Sequence, residues 1–174
     1  MKYTYYSSDT FTGEGDFDIT GNHYQELLNL CFQYSAVMSF LIYDSNASYL
    51  KDLEKFKIKR PQNITGSFEE HRETGESVQP YYQYYQVCEE LKMLMFTISD
   101  SLFQFVHAWG YTNPEDPTFY RADGSVFFYS IVHEGECSFL PRDNEDISQI
   151  LSMGHWVVDS YPYDGKPGYY YQNK

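Results

Sequence analysis

The sequence predicts an α+β fold in which an antiparallel β-meander of about four to five strands packs against a helical hairpin and one long helix. Three observations lead to this prediction. Apolar residues recur at helical spacing over residues 22–60 and again over 80–109. Over residues 118–140 the period changes to that of a strand, with tight-turn dipeptides in between. The length of 174 residues suits one core, so we expect a single α+β domain over 1–174.

A short tyrosine-rich strand, Lys2–Tyr6, is expected at the start of the chain, paired with an edge of the sheet. A first helix should follow from a capping box formed by Asn22 and Gln25. Its apolar positions continue at helical spacing to Ile42. They are Tyr24, Leu27, Leu28, Cys31, Tyr34, Met38, Leu41 and Ile42.

A second, lysine-rich helix is expected over residues 47–60, after a break at 44–46. It should end near Arg60, because the proline at Pro61 restricts the residue before it. The two helices would then form an antiparallel hairpin. This is the only basic stretch in an acidic chain, so we do not expect a nucleic-acid interface.

Residues 61–79 are rich in polar residues and glycine and have few bulky apolar groups. Few contacts could hold such a segment, which predicts a mobile acidic loop. Its glutamates favour a solvated connector, with a partner-binding tongue as the alternative. They are Glu69, Glu70, Glu73 and Glu76.

A long helix is expected from Pro80 to Trp109, with Gly110 as its C-terminal cap. Its apolar residues alternate by three and four positions, as in a heptad repeat. The stripe is wider than a two-stranded coiled-coil seam, which favours a central helix in the core. A monomer is therefore expected, with a homodimer through the 80–109 helix as the alternative.

The dipeptide Asp123-Gly124 predicts a β-hairpin with a type I′ turn between strands at 118–122 and 125–133. A second tight turn at Glu134-Gly135 should lead into a strand over 136–140. Strand alternation would place Phe127, Tyr129, Ile131 and His133 on one face, with His133 opposite Glu136, and Val126, Phe128, Ser130 and Val132 on the other.

The region after the meander predicts one more helix and one more strand. Asp143 is placed to cap a short helix that Gly154 would close. Residues 155–161 have strand character, and the tyrosine-rich tail over 162–174 is expected to be irregular.

The charge and the tyrosine content carry the functional prediction. Twenty-five acidic residues oppose twelve basic ones, for a net charge of -13, and the chain has nineteen tyrosines. An acidic, tyrosine-rich surface suits a basic protein better than phosphate. We therefore predict an acidic protein-interaction domain, such as an inhibitor or immunity protein that neutralises a basic toxin or nuclease. The predicted partner-binding residues are Tyr129, Glu134, Glu136, Asp143, Glu145, Asp146 and Tyr163.

Titratable residues crowd together at 133–137, in the order His-Glu-Gly-Glu-Cys. The expected register directs Cys137 to the opposite face from His133, so we predict no metal site there and no cofactor. The sequence has no phosphate-binding glycine loop, nucleophile elbow, zinc-protease helix or EF-hand loop. No catalytic residue is assigned, and a non-enzymatic role is favoured.

The alternative function is a small-molecule-binding domain or an enzyme. Its pocket would lie between the aromatic sheet face and the long helix. The residues expected to line it are Tyr120, Tyr129, His133 and Trp109.

The cysteines Cys31, Cys88 and Cys137 are odd in number and widely spaced, which predicts reduced thiols. Residues 1–19 have no apolar signal-peptide core, and no apolar run is long enough to span a membrane. These observations lead us to expect a cytoplasmic protein with no membrane partner.

Overall fold

The computed structural model describes residues 1–7, 18–44, 47–64, 80–107 and 112–159. Within these ranges the chain forms one antiparallel sheet of eight strands, together with four α-helices. The strands are β1 (Lys2–Tyr6), β2 (Val37–Ile42), β3 (Lys57–Ile58), β4 (Tyr81–Gln86), β5 (Glu115–Tyr120), β6 (Val126–Ile131), β7 (Glu136–Phe139) and β8 (Trp156–Asp159). The helices are α1 (Gly21–Tyr34), α2 (Tyr49–Leu53), α3 (Glu89–Ile98) and α4 (Ser148–Leu151).

The strand order in the sheet is β3-β4-β2-β5-β6-β7-β1-β8, and each neighbouring pair is antiparallel. The mixed α and β character and the antiparallel sheet are confirmed. The predicted strand number of four to five is wrong, because three segments expected to be helical contain strands: β2, β3 and β4. The three-strand meander itself is present, since β5, β6 and β7 are neighbours both in the chain and in the sheet.

The β5–β6 hairpin turns at the predicted dipeptide but not with the predicted geometry. The Gly124 N–H donates to the Arg121 carbonyl at 2.9 Å, and the Arg121 N–H donates to the Ser125 carbonyl at 2.8 Å. Gly124 has a φ of 85°, whereas Asp123 is not among the residues with positive φ. A type I′ turn requires positive φ at both central positions, so this loop is instead a three-residue turn that ends on a left-handed glycine.

A β-bulge between β5 and β6 changes which residues share a face. Phe119 lies opposite Phe128, but the next residue, Tyr120, lies opposite Val126, so Phe127 is an extra residue. Val126 and Tyr129 consequently pack in the same cluster. This cluster lies on the second face of the sheet, opposite the face that packs against α1, α3 and α4. The predicted strict alternation is wrong at this point, because one inserted residue reverses the direction of the side chains that precede it.

The turn between β6 and β7 is also longer than expected. Residues Val132–Glu134 form one turn of 3₁₀ helix, and Gly135 follows with a φ of 66°. Ile131, not His133, lies opposite Glu136. The predicted pairing of His133 with Glu136 is therefore wrong, and His133 lies in the turn.

The first helix ends at Tyr34, eight residues before its predicted end, and residues 37–42 form β2. This strand pairs with β4 along one side and with β5 along the other. A strand that is covered on both faces is apolar along most of its length, and such a run matches a helical pattern as well as a strand pattern. The capping box is also absent: Thr20 is the N-cap residue and makes no side-chain capping bond.

The predicted lysine-rich helix over 47–60 is wrong over its second half. Its residues form the short helix α2, then a 3₁₀ turn over Glu54–Phe56, and then the two-residue strand β3. The helical hairpin is not confirmed, since β2 separates α1 from α2 along the chain.

The prediction of one long helix over 80–109 is wrong. Residues 81–86 have the sequence Tyr-Tyr-Gln-Tyr-Tyr-Gln and form β4, and only 89–98 are helical. Tyrosine favours strands, and β2 and β3 provide backbone partners on both sides of β4. The continuous helix required for the homodimer alternative is therefore not formed, and Trp109 and Gly110 lie outside the described residues.

The N-terminal strand forms at the predicted residues but in an interior position, between β7 and β8. The last helix begins at Ser148 and has Ile147, not the predicted Asp143, as its N-cap residue; Asp146 Oδ1, one residue earlier, accepts a hydrogen bond from the Ser148 N–H at 2.9 Å. The last described strand, β8, agrees with the expected strand over 155–161. Residues 65–79 of the predicted loop and 160–174 of the tail lie outside the described residues.

The main core lies between one face of the sheet and helices α1, α3 and α4. Its fully buried side chains include Leu27 and Leu28 of α1, Met95 of α3 and Phe40 of β2. A second, smaller cluster on the other face contains Ile64, Tyr84, Tyr120 and Val126. Many of the tyrosines therefore stabilise the fold and are not available on the surface.

Candidate functional site

Three side chains of types that can bind a metal lie close together at the start of β5, where the β6–β7 turn passes beside it. Glu115 and Asp116 are the first two residues of β5, and His133 lies in the 3₁₀ turn. One donor atom from each side chain lies within 4.8 Å of the other two. His133 Nδ1 and Glu115 Oε1 are 3.5 Å apart. Among the described residues, this is the one group of three His, Cys, Asp or Glu side chains whose donor atoms lie this close together.

The backbone of Asp116 is unusual. Its φ is 50°, and it is the only residue other than glycine with a positive φ in the part of the chain that the structure describes. Aspartate is one of the few side chains that tolerate this conformation. The Asp116 carboxylate accepts a hydrogen bond from the Val132 N–H at 2.7 Å. This bond ties the start of β5 to the turn that carries His133.

Burial dominates the electrostatics of the cluster. Glu115 and Asp116 are only 4% and 9% exposed, whereas His133 is exposed. Burial, opposed by the Val132 hydrogen bond and reinforced by the Glu115 charge, raises the pKa of Asp116 to about 7. The hydrogen bond to Glu115, with burial opposing it, raises the pKa of His133. Burial therefore favours the neutral form of Asp116, while the exposed His133 ring leaves one side of the cluster in contact with water.

Tyrosines lie beside the cluster. Burial, together with the neighbouring Asp116 charge, raises the pKa of Tyr82. Tyr43 is 37% exposed, and its ring stacks on that of His107 with centroids 5.6 Å apart. Tyr43 and Tyr82 thus provide an aromatic margin at this end of the sheet.

The donor set defines what the cluster could hold. It offers one imidazole nitrogen and carboxylate oxygens from two side chains, a combination that suits a divalent cation. Cys137 does not join it. That thiol is fully buried within β7, and burial raises its pKa well above the ordinary value, which disfavours a thiolate ligand.

The predicted partner-binding residues near the β6–β7 turn differ in exposure. Glu134 is exposed in the turn, whereas Glu136 is only 7% exposed at the start of β7. Tyr129 is half-buried on the second face of the sheet, with Lys2 Nζ 5.8 Å from the centre of its ring. Of these three side chains, only Glu134 projects fully into solvent.

The acidic loop after β7 is divided in the same way. Asp143 and Asp146 are exposed. Glu145 is 7% exposed, and it binds both Nε and Nη2 of Arg121, at 2.6 and 2.5 Å. Its carboxylate therefore stabilises the fold. Tyr163 lies outside the described residues.

The residues predicted to line a small-molecule pocket are brought together only in part, since Tyr120 and Tyr129 pack in the same cluster. Tyr120 is 3% exposed, and its hydroxyl shares a hydrogen bond with Ser39 Oγ, at 3.2 Å, within the sheet. His133 lies in the turn, and Trp109 is outside the described residues. The long helix that was expected to form the opposite wall is replaced by β4 and α3.

Glu115 and Asp116 were not predicted as site residues, because the expected hairpin strand begins at Thr118. The signal was present. In an antiparallel hairpin the start of the first strand lies beside the end of the second. If the predicted strand had been extended back by three residues, Glu115 and Asp116 would have been placed beside the 132–135 turn.

No described helix is long and apolar enough to cross a membrane. No protein-family model, curated protein or solved structure matches this chain.

Proposed function

We propose that this protein is an acidic interaction protein that binds a basic protein, in the manner of an inhibitor or immunity protein directed at a toxin or nuclease. One observation carries the proposal. Glu134, Asp143 and Asp146 are exposed, and within the described residues none of them forms an ion pair with lysine or arginine. We call these three residues the carboxylate surface.

Among the other exposed carboxylates, Asp52, Glu90 and Asp100 also form no ion pair within the described residues, but they belong to α2, to α3 and to the segment after α3, not to the loops that flank β7. Three others have basic neighbours. Asp123 pairs with Arg142, Glu54 lies 3.5 Å from Lys57 Nζ, and Glu89 lies 2.9 Å from Lys92 Nζ. The carboxylate surface has no such internal compensation. Its charge is therefore available to a cationic partner.

The spacing of the surface suits a single partner. Glu134 lies two residues before the start of β7, and Asp143 and Asp146 lie four and seven residues after its end. A strand of four residues, as β7 is, spans roughly 13 Å. A standard interface buries about 800 Å² on each side, which corresponds to roughly 30 Å across. One partner could therefore contact both ends of β7.

The mechanism is electrostatic. Exposed carboxylates can occupy a cleft that otherwise binds phosphate groups, and a net charge of -13 steers a basic partner toward the surface. Tyr43 could add an aromatic anchor at the Glu134 end, since it is 37% exposed. The predicted contact through Tyr163 remains part of the proposal.

We further propose that the protein acts as a monomer in the cytoplasm. The observation that supports the location is that Cys31, Cys88 and Cys137 are all free thiols, as expected in a reducing compartment.

The test is capture of a partner by immobilised wild-type protein, followed by a comparison of variants. At low salt the protein should retain one basic protein, and elevated salt should release it. The triple variant E134Q/D143N/D146N should bind the purified partner at least about tenfold more weakly. The matched control D52N/E90Q/D100N removes three exposed carboxylates from other elements and should bind within about threefold of wild type. The proposal fails if no basic protein is retained at low salt, or if the control loses as much affinity as the triple variant.

A further inference from the structure

The Glu115–Asp116–His133 cluster has the dimensions of a metal site. Two ligands that are each about 2.1 Å from a tetrahedral Zn²⁺ lie about 3.4 Å from one another. His133 Nδ1 and Glu115 Oε1 are 3.5 Å apart, and an Asp116 oxygen lies within 4.8 Å of both. A shift of about 1 Å by one carboxylate would bring all three donors to bonding distance of one ion.

The cluster also has the charge that a cation requires. Glu115 and Asp116 are nine-tenths or more buried, and within the described residues neither is paired with lysine or arginine. The charges of Glu115 and Glu134 both act on Asp116 and raise its pKa, and a bound cation would offset that repulsion. Buried carboxylates in this arrangement are costly unless a cation compensates them.

Ligand atoms remain available for such an ion. Asp116 Oδ1 accepts the Val132 N–H, whereas its second oxygen makes no hydrogen bond among the described residues. His133 Nδ1 faces Glu115, and the exposed ring leaves one side of the site open to water. Water can therefore fill the remaining coordination positions.

We propose that Glu115, Asp116 and His133 bind a divalent cation, for which Zn²⁺ or Mn²⁺ has the appropriate preference for mixed nitrogen and oxygen ligands. The ion joins the start of β5 to the β6–β7 turn. It supplements the Val132–Asp116 hydrogen bond, which already links the same two segments. None of its three ligands belongs to the carboxylate surface; Glu134 of that surface follows His133 in the chain and contributes charge but no ligand atom.

The competing explanation is a simple ion pair between protonated His133 and Glu115. The two explanations make opposite predictions for added metal. An ion pair needs the proton on His133 Nδ1, whereas coordination requires that nitrogen to be unprotonated.

The experiment is calorimetric titration of chelator-treated wild-type protein with ZnCl₂ and, separately, with MnCl₂. Wild type should bind one ion, and H133A should bind it at least about tenfold more weakly. H155A is the matched control, because His155 is also exposed but lies outside the cluster, and its affinity should be unchanged. E134Q removes a nearby charge without removing a ligand, so it should weaken binding by no more than about threefold.

A second variant guards against misfolding. D116N retains a side chain that tolerates a positive φ and can still accept the Val132 N–H, so it should keep the wild-type circular dichroism spectrum. Saturating metal should raise the Tm of wild type and H155A, and it should raise the Tm of D116N and H133A by a clearly smaller amount. The proposal is overturned if wild type binds neither ion, or if H133A and D116N bind as tightly as wild type.

Discussion

Arg121 is the residue that organises the buried charge at the loop end of the meander. Its guanidinium forms a two-point contact with Glu145 and donates to the carbonyls of Val126 and Leu140 at 2.6 and 2.7 Å. It also lies over the Phe127 ring, 5.2 Å from the centroid. One side chain thus connects β5, β6 and the loop after β7.

Replacement of Arg121 should be strongly destabilising. R121M leaves the Glu145 carboxylate buried without its counter-charge, which we expect to cost about 3–5 kcal/mol of unfolding free energy. Urea denaturation followed by circular dichroism would measure it. The control is R142M, which removes the exposed pair with Asp123 and should cost about 1 kcal/mol or less. Equal costs for the two variants would contradict this role of Arg121.

Glu145 also predicts a pH dependence. Burial raises its pKa, but hydrogen bonds from Arg121 and the Arg142 N–H, with both guanidinium charges, lower the pKa below its ordinary value. A carboxyl whose pKa is lower in the folded protein stabilises it above the unfolded pKa of about 4.3. That contribution disappears as the pH falls through the lower, folded-state pKa. The stability difference between wild type and E145Q should therefore be constant from about pH 7 to 5 and shrink below about pH 4. Urea denaturation across this range would check it, and a difference that stays constant to pH 3 would contradict it.

At the scale of the element, the β5–β6 hairpin depends on Gly124. Its φ of 85° favours glycine, and a Cβ added there would collide with the carbonyl of Asn63. The Asn63 side chain in turn donates to the Ala122 carbonyl at 3.0 Å. The turn is therefore packed directly against the 61–64 segment.

The variant G124A should cost more than a left-handed backbone alone explains. Gly21 provides the control, because its φ is 54° but a Cβ there would meet nothing within 4 Å. G21A should lose about 1–2 kcal/mol from backbone strain, and G124A about 1–3 kcal/mol more from the collision. Thermal or urea unfolding would measure both. Equal losses of unfolding free energy in the two variants would show that the collision with Asn63 does not contribute to the cost of G124A.

The elements also differ in how well their sequence specifies them. The β5–β7 meander was predictable because Asp123-Gly124 and Glu134-Gly135 act locally, through backbone conformation. Strands β2 and β4 were not, because each gains its stability from neighbours on both sides that are distant in sequence. The 3.6-residue spacing within them was compatible with the wrong structure.

The predicted partner-binding residues were placed correctly only in part, for the same reason. Exposed Glu134, Asp143 and Asp146 follow from turn and loop composition. The burial of Glu145 depends on Arg121, which lies twenty-four residues earlier in the chain. No local sequence pattern predicts that the two side chains pair. Pairings between residues far apart in sequence need the sheet register, which the predicted strand boundaries did not provide.

At the scale of the whole molecule, the net charge of -13 acts against compactness. Like charges on a folded surface are closer together than in the unfolded chain, so their repulsion favours unfolding. Salt weakens this repulsion, since the Debye length falls from about 30 Å at 0.01 M to about 10 Å at 0.1 M.

The Tm should therefore rise when NaCl is increased from about 0.01 M to about 0.1 M. A change of about 1 kcal/mol corresponds to about 2–4 °C for a chain of this size. Scanning calorimetry in the presence of a chelator would measure the shift without a contribution from divalent cations. A Tm that is constant or falls over this range would contradict the argument.

The carboxylate surface is the central claim, and its most direct test is the association rate with the basic protein that the wild type retains. Stopped-flow measurement should give a rate constant that falls at least about tenfold between about 0.01 M and about 0.15 M NaCl. At low salt E134Q/D143N/D146N should associate more slowly than the charge-matched control D52N/E90Q/D100N. A rate that is independent of salt, or equal for these two variants, would contradict the account.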